Sequence, residues 1–419
     1  MVRGLLPVWA LLLGSAFLLF AGGVNGLILP VRGEIEGFSA ATLGLLGTGW
    51  AIGYVGGCLL TPALVAKVGH IRSFSVMCAL AAITVLMALI FLTPWVWIPL
   101  RAISGFCFAG AAMIVESWLS ERSDSKSRGK VFGFYTMINL AAMTAGQMVI
   151  TLGDASGYLF FVVAAMVYCL ALLPTALTAS DTPAALVSVK LDMKALWRNS
   201  PIAVFAILMV GISNATFGTL AAVYGTQAGL SITEIALFAS IPILAGALAQ
   251  VPVGILSDKF DRRIVLIGIA SIAISADMVF VFSGISASWA ILTVSGVFGA
   301  AVFAMYPVII AHASDHAAPG TFIQVSGGLL LVFGIGSIIG PTIAGFAMTS
   351  FGNSSLFAIT GVSHLMLIAF AAMRLRVRAA VAQDDKVAFQ AAPLPRSTTP
   401  ETAVLAESDD AHSPSEPKT

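Results

Sequence analysis

The chain has 419 residues, of which 58% are hydrophobic and only 10% charged. A soluble domain carries about 25% charged residues, so no water-soluble fold of this length could hide so much apolar surface, and the chain reads as a membrane protein. Its formal net charge of +1 leaves no basic surplus for releasing counterions from nucleic acid, which excludes that partner.

A bilayer core takes roughly 20 apolar residues per helix. Segments of that size fall at 6–30, 41–66, 73–93, 97–120, 131–152 and 158–178, then at 201–224, 235–256, 264–283, 289–311, 321–349 and 355–373. The first run is too long for a signal-peptide core and more than ten others follow it, so it reads as an uncleaved first span. Six spans, a break and six spans predict an all-α protein of twelve transmembrane helices. The expected division is a bundle over 1–178, a linker over 179–200, a second bundle over 201–378 and a tail over 379–419.

Lys and Arg set the expected orientation. They sit at Arg3, at Lys67 and Arg72, between Arg122 and Lys130, between Lys190 and Arg198, at Lys259, Arg262 and Arg263, and between Arg374 and Arg378. These are alternate connections, all on one side. The opposite side holds Arg32, with Arg101 just inside span 4. The positive-inside rule then places both termini and the linker in the cytoplasm of a multi-pass protein of the cytoplasmic (inner) membrane. Loop 312–320 carries His312, Asp315 and His316 in place of Lys or Arg. The tail is rich in Pro, Ser, Thr, Glu, Asp and Ala without apolar periodicity, so it is expected to be disordered, and dispensable sooner than regulatory. Cys58, Cys78, Cys107 and Cys169 lie in apolar segments without metal-ligand spacing and read as small buried hydrophobes, so no metal and no cofactor is expected.

Two loops repeat. Gly254-Ile-Leu-Ser-Asp258-Lys259-Phe-Asp261-Arg262-Arg263 has a degraded copy 192 residues earlier, in which Pro62 replaces the first Gly and Ala66 the first Asp. Ser123-Asp124 and Gly129 match Ser314-Asp315 and Gly320 at an offset of 191, as Gly105 matches Gly296. Two homologous six-helix halves in parallel arrangement follow. The first loop resembles the signature loop of the major facilitator superfamily, and Arg101-x-x-x-Gly105 its span-4 motif. Gly340-Pro341-x-x-x-Gly345 resembles the Gly-Pro element of its antiporters, displaced from span 5 to span 11. Glu116-Ser-Trp118-Leu and Tyr306-Pro-x-x-x-Ala311-His312-Ala-x-Asp315 resemble a less-studied bacterial branch. The family keeps the intact loop in its first half; here the second half keeps it, which shifts weight to Asp258.

The resemblance implies two bundles rocking about a midplane site, with spans 1, 4, 7 and 10 lining a cavity and 5 and 11 contributing. It implies that Asp258 caps a helix of the other half, by pseudo-symmetry the start of span 5 near Lys130–Val131. An anion there gains roughly 0.3–1 kcal/mol. Arg262 and Arg263 would pair with Asp315, Asp124 or Glu121 when that gate is closed, with Gly254, Lys259, Asp261 and His312 completing the latch. The alternative is charges that merely hold the loop inside.

Ionisable groups at membrane depth are functional candidates by default. Glu116 is the proton-coupling candidate, since burial favours the uncharged carboxyl; a gate or packing role bonded to Ser120 or a loop is the alternative. Arg101 lies 15 residues before it, within roughly 60° of azimuth at about 100° per residue, so both can face one cavity. Asp277 is expected to pair with a neighbour or reach the outer interface, and His364 to be a hydrogen-bonded buried histidine. The polar cavity candidates are Asn25, Asn139, Gln147, Asn214, Tyr224, Gln227, Tyr306 and Gln324, joined by Arg101. Phe20, Trp50, Trp118 and Phe303 could stack on a ligand; Trp95 and Trp97 read as interface anchors.

No G-x-x-x-x-G-K-[ST] loop is present. The expected function is therefore secondary transport, first as proton-coupled efflux of a moderately apolar small molecule. Uptake or uniport of a small polar solute comes second, and a transporter-like ligand sensor or a membrane-embedded transferase are the other classes. The expected partners are a small molecule, protons and the lipid bilayer, with the chain a monomer.

Overall fold

The computed structural model describes residues 9–123, 125–176, 186, 192–318, 321–392 and 397–406, and among these it is helical with no strand. Among the described residues ten helices are long and apolar enough to cross a membrane. Spans 1 to 4 are Trp9–Ile35, Ala40–Val68, His70–Ile90 and Pro94–Glu121. Spans 7 to 12 are Pro201–Gln227, Ile232–Lys259, Arg262–Phe282, Ser288–Ser314, Phe322–Phe351 and Ser355–Leu375. Span 5, Ser125–Val149, begins with a polar turn, and span 6 is short, Leu159–Leu170 continued by Leu172–Ala176. Both stand where the twelve-helix order requires them.

The boundaries have local causes. Ser39 caps span 2 by accepting the Thr42 N–H, and Ser231 with Glu234 forms a capping box on span 8. Asp261 caps span 9 through the Arg263 N–H. Pro94 and Pro201 open spans 4 and 7, where a missing N–H is harmless.

Each half repeats one packing plan: span 1 lies on span 5 and span 2 on span 4, as span 7 lies on span 11 and span 8 on span 10. The closest approach is between spans 2 and 4, where a Cβ on Gly53 would stand 1.8 Å from the Ala102 oxygen and one on Gly105 2.1 Å from the Trp50 oxygen. Without side chains at these points the backbones touch. The halves meet where span 2 crosses span 11, with Gly44 against the Pro341 carbonyl.

The two ends of the molecule differ. At the end away from the charged loops the halves bond directly. Thr48 Oγ1 donates to Ile338 O at 2.8 Å and lies 2.6 Å from Thr342 Oγ1; the Ala41 N–H reaches Thr349 Oγ1 at 2.9 Å; Gln227 Nε2 donates to Glu34 at 3.0 Å. At the charged end the segment after span 12 enters between them. The disorder expected from residue 379 is not what the described residues show: Thr398, Thr399, Glu401, Thr402 and Ala403 are buried, and the helix Pro400–Ala406 packs on spans 4, 5 and 11. Composition hid this because the segment is ordered by hydroxyl and backbone hydrogen bonds, which leave no apolar period.

Candidate functional site

A cavity of about 110 Å³ lies between the halves. Spans 1 and 2 give it Asn25, Leu43 and Trp50, span 4 gives Arg101, Ser104 and Phe108, and spans 5, 6 and 7 give Gln147, Tyr168 and Thr219. A second chamber of about 60 Å³ shares Gly26, Pro30, Met143, Gln147, Gly218 and Thr219 with the first and adds Asn214, Phe217 and Phe303. The walls are apolar with a few polar groups, the ordinary make-up of a small-molecule site. Several of these groups lack partners: Asn25 Oδ1 and both polar atoms of Asn214 are buried without a hydrogen bond. Unsatisfied buried polar atoms are rare and call for an explanation; here a ligand would supply the missing partners. Gln147 Oε1 accepts from Ser240 Oγ at 2.7 Å and so bridges the halves across the second chamber.

Toward the charged end stands Glu116, 0% exposed. Its carboxylate accepts from Tyr135 Oη at 2.9 Å, from Thr402 Oγ1 at 2.8 Å and from Thr399 Oγ1. The last two belong to the tail, and Ser397, two residues before Thr399, lines the main cavity.

The loop after span 8 is a charge cluster. Arg262 Nε donates to Asp315 at 2.7 Å and its Nη1 to Ser257 Oγ at 2.8 Å. Arg263 clasps Asp261 at 2.7 Å and donates to the Arg374 and Arg378 carbonyls at 3.2 and 2.8 Å. Burial alone would raise the Asp261 carboxyl, but hydrogen bonds from the Arg263 side chain and backbone outweigh it and hold it below its usual range. The His316 ring lies tilted against His312 with centroids 4.7 Å apart; burial, with Arg378 and Arg263 close by, favours its uncharged ring.

The sequence profile of the Major Facilitator Superfamily matches residues 11–237 and 203–406, nearly the whole chain. The protein is a member of the Major Facilitator Superfamily. Its relatives include the "Uncharacterized MFS-type transporter YcaD" of Escherichia fergusonii, 27% identical over 374 residues that cover 86% of this chain and 94% of the relative. The protein of the same name in Salmonella typhimurium is 28% identical over the same shares. Among solved structures, nucleoside transporter NupG superposes with a TM-score of 0.73 at 18% identity, covering 88% of this chain and 99% of its own. A bacterial homologue of the human lysosomal transporter Spinster, inward-facing and occupied, gives 0.72 at 16% identity over 91% and 97%. These likenesses show the major facilitator fold, and the chain is a transporter of that superfamily.

Within that fold the expected site residues divide. Asn25, Arg101, Gln147 and Asn214 line the cavity chambers, with Trp50 and Phe303. Asn139 instead accepts from Ser15 Oγ at 2.7 Å, inside the first half. Tyr224 belongs to an aromatic cluster with Phe238, Phe280 and Phe357. Gln227 bonds Glu34 at the end away from the charged loops, Tyr306 packs edge-on against Phe333 at 5.7 Å, and Gln324 is exposed at the charged end of span 11. Sequence placed them by span number, whereas the facing side of each helix decides. Trp97 is a core residue, not an interface anchor: it is 0% exposed and donates to the Ala88 and Phe91 carbonyls at 2.8 Å.

The latch also differs from expectation. Asp258 does not cap span 5: its Oδ1 accepts the Phe389 N–H at 3.1 Å and faces Arg262 at 3.4 Å. Arg262 takes Asp315 as expected, whereas Arg263 pairs with Asp261 and donates to carbonyls at the end of span 12. Lys259 is exposed, and Asp124 and Gly320 lie outside the described residues. Sequence reading missed Tyr54, Tyr135, Gln250, Thr399 and Thr402. The one available signal was Thr399-Pro400-Glu401, a helix-start pattern in a segment read as unstructured.

Proposed function

We propose that the protein is a secondary active transporter that exports a moderately apolar small molecule from the cytoplasm by alternating access, coupled to protons, and that it works as a monomer in the cytoplasmic membrane with its charged loops inside. The observation that carries this reading is the two-chambered apolar cavity between the halves, with Arg101 as its one strongly basic wall residue and Glu116 buried nearby toward the charged end. Three hydroxyls surround Glu116 without a basic group among its hydrogen-bond partners. A carboxyl so placed can take a proton from one side and release it to the other as access alternates. One elementary charge across 100 mV is worth about 2.3 kcal/mol, enough to drive roughly 50-fold accumulation.

The unpaired amide of Asn214 and the unpaired Asn25 Oδ1 favour a second reading, uptake or uniport of a polar solute whose hydrogen-bonding groups would satisfy them. One experiment separates the two. Purified protein in liposomes holding a pH-sensitive dye is offered drug-like compounds and polar metabolites, with wild type beside Glu116→Gln. Substrate-triggered proton flux that disappears in the variant is the expected result. Solute uptake without proton movement would replace it by the second reading.

A further inference from the structure

The crevice at the charged end is built as a peptide groove, and it is filled. Lys386 Nζ donates to the Ser257, Asp258 and Phe260 carbonyls at 3.3, 3.2 and 2.6 Å, capping the end of span 8. The Val387 N–H donates to Asp315 at 3.0 Å while Arg262 donates to the Val387 carbonyl. The Phe389 ring lies on Gly254, where any Cβ would stand 2.5 Å from it. Gln250 holds Ala392 at both backbone atoms, donating at 3.1 Å and accepting at 3.0 Å. Farther in, Tyr54 Oη donates to the Thr398 carbonyl at 2.6 Å, and Thr399 and Thr402 donate to Glu116. Thr402 Oγ1 also accepts the Thr399 N–H at 2.8 Å, so its hydroxyl proton is aimed at the carboxylate.

We propose that residues 386–392 and 397–406 are a built-in ligand of this groove, an autoinhibitory plug that must leave before the transporter can close at its charged end. The inference rests on the transport reading above for its consequence but not for its geometry. Three features carry it. The plug is read mainly through its backbone by side chains of spans 2, 8 and 9 and by Asp315 at the end of span 10, which is how a groove holds an extended peptide. It occupies the very groups, Asp258 and Glu116, that the superfamily resemblance and membrane burial single out as gate and coupling candidates. Its helix touches spans 4 and 5 of one half and span 11 of the other, so the halves cannot approach there while it is in place. A short tether keeps such a ligand at an effective concentration of about millimolar, so modest contacts suffice to hold it.

The test needs no substrate. Cys58 lies one turn beyond Tyr54 on span 2, on the same face, and is the reporter once Cys78, Cys107 and Cys169 are replaced by Ser. In liposomes, labelling of Cys58 by a polar maleimide is compared in the full chain, in a chain ending at Arg378, and in Thr399→Val with Thr402→Val. Loss of two buried hydrogen bonds should speed labelling about ten-fold or more. A synthetic peptide of residues 386–406, added to the shortened chain at about millimolar concentration, should slow it again, and the same peptide carrying both valines should not. Equal labelling in all three chains with no protection by the peptide overturns the proposal, including where the shortened chain misfolds, because the valine pair leaves the bundle intact. Tail-dependent labelling, with neither protons nor solute moved even by the chain ending at Arg378, would support the plug and overturn the transport reading instead.

Discussion

At the scale of single residues, Asp277 and His364 form a buried hydrogen-bonded network away from the cavity. His364 Nδ1 meets Asp277 Oδ2 at 2.7 Å, its Nε2 meets Ser213 Oγ at 2.9 Å, and Thr360 Oγ1 donates to Asp277 at 2.6 Å. The Ser-His-Asp order is that of a hydrolase relay, but Ser213 is 0% exposed, with no room for a substrate at its oxygen. The network joins spans 7, 9 and 12. Removing one member leaves the others buried without their hydrogen-bond partner, at a cost of about 1–3 kcal/mol. His364→Phe should therefore lower the thermal unfolding temperature sharply in detergent, and Asp277→Leu with His364→Leu should recover most of it; equal loss in the two proteins would sink this account. Both residues were visible in the sequence as ionisable groups in spans. Their pairing was not, because 87 positions and a change of span direction separate them. Glu116 was legible as an ionisable group in a span, yet two of its three partners, Thr399 and Thr402, lay in a segment whose composition pointed away from order.

At the scale of elements, the packing of span 2 on span 4 depends on glycine. Gly53→Val would drive a side chain into the Ala102 carbonyl, from which even a Cβ stands only 1.8 Å. Overpacking of this kind costs about 1–3 kcal/mol where neighbours can yield, and more against backbone. Little folded protein should be recovered, as measured by monodispersity in gel filtration. Gly26→Ala meets nothing within 4 Å and lines both chambers; it should fold normally and change which compounds are moved. Spans 1 to 4 and 7 to 12 were readable from apolar length because a bilayer sets that length. Span 5 was placed only from its apolar part, since its first turn is polar, and the 400–406 helix escaped because it is too short to show a period.

For the whole molecule, the alternation of Lys and Arg and the 191–192-residue repeat made two six-helix halves legible. The conformational state was not, because it depends on contacts between the halves that no single segment encodes. Here the halves are bonded at the end away from the charged loops through Thr48, Thr342, Ala41 and Gln227. Thr48→Val with Thr342→Val removes two such bonds, each worth about 1 kcal/mol, and should raise the open population at that end about ten-fold. With Gly26→Cys as reporter in a chain without other cysteines, polar maleimide added from that side should react correspondingly faster; an unchanged rate would mean these bonds do not hold the state. Burial of Thr399 and Thr402 also orders events in time. Domains form as the chain emerges, and these residues are made only after all twelve spans. A newly inserted bundle thus keeps an unfilled crevice at its charged end until these residues follow and take their places on Glu116.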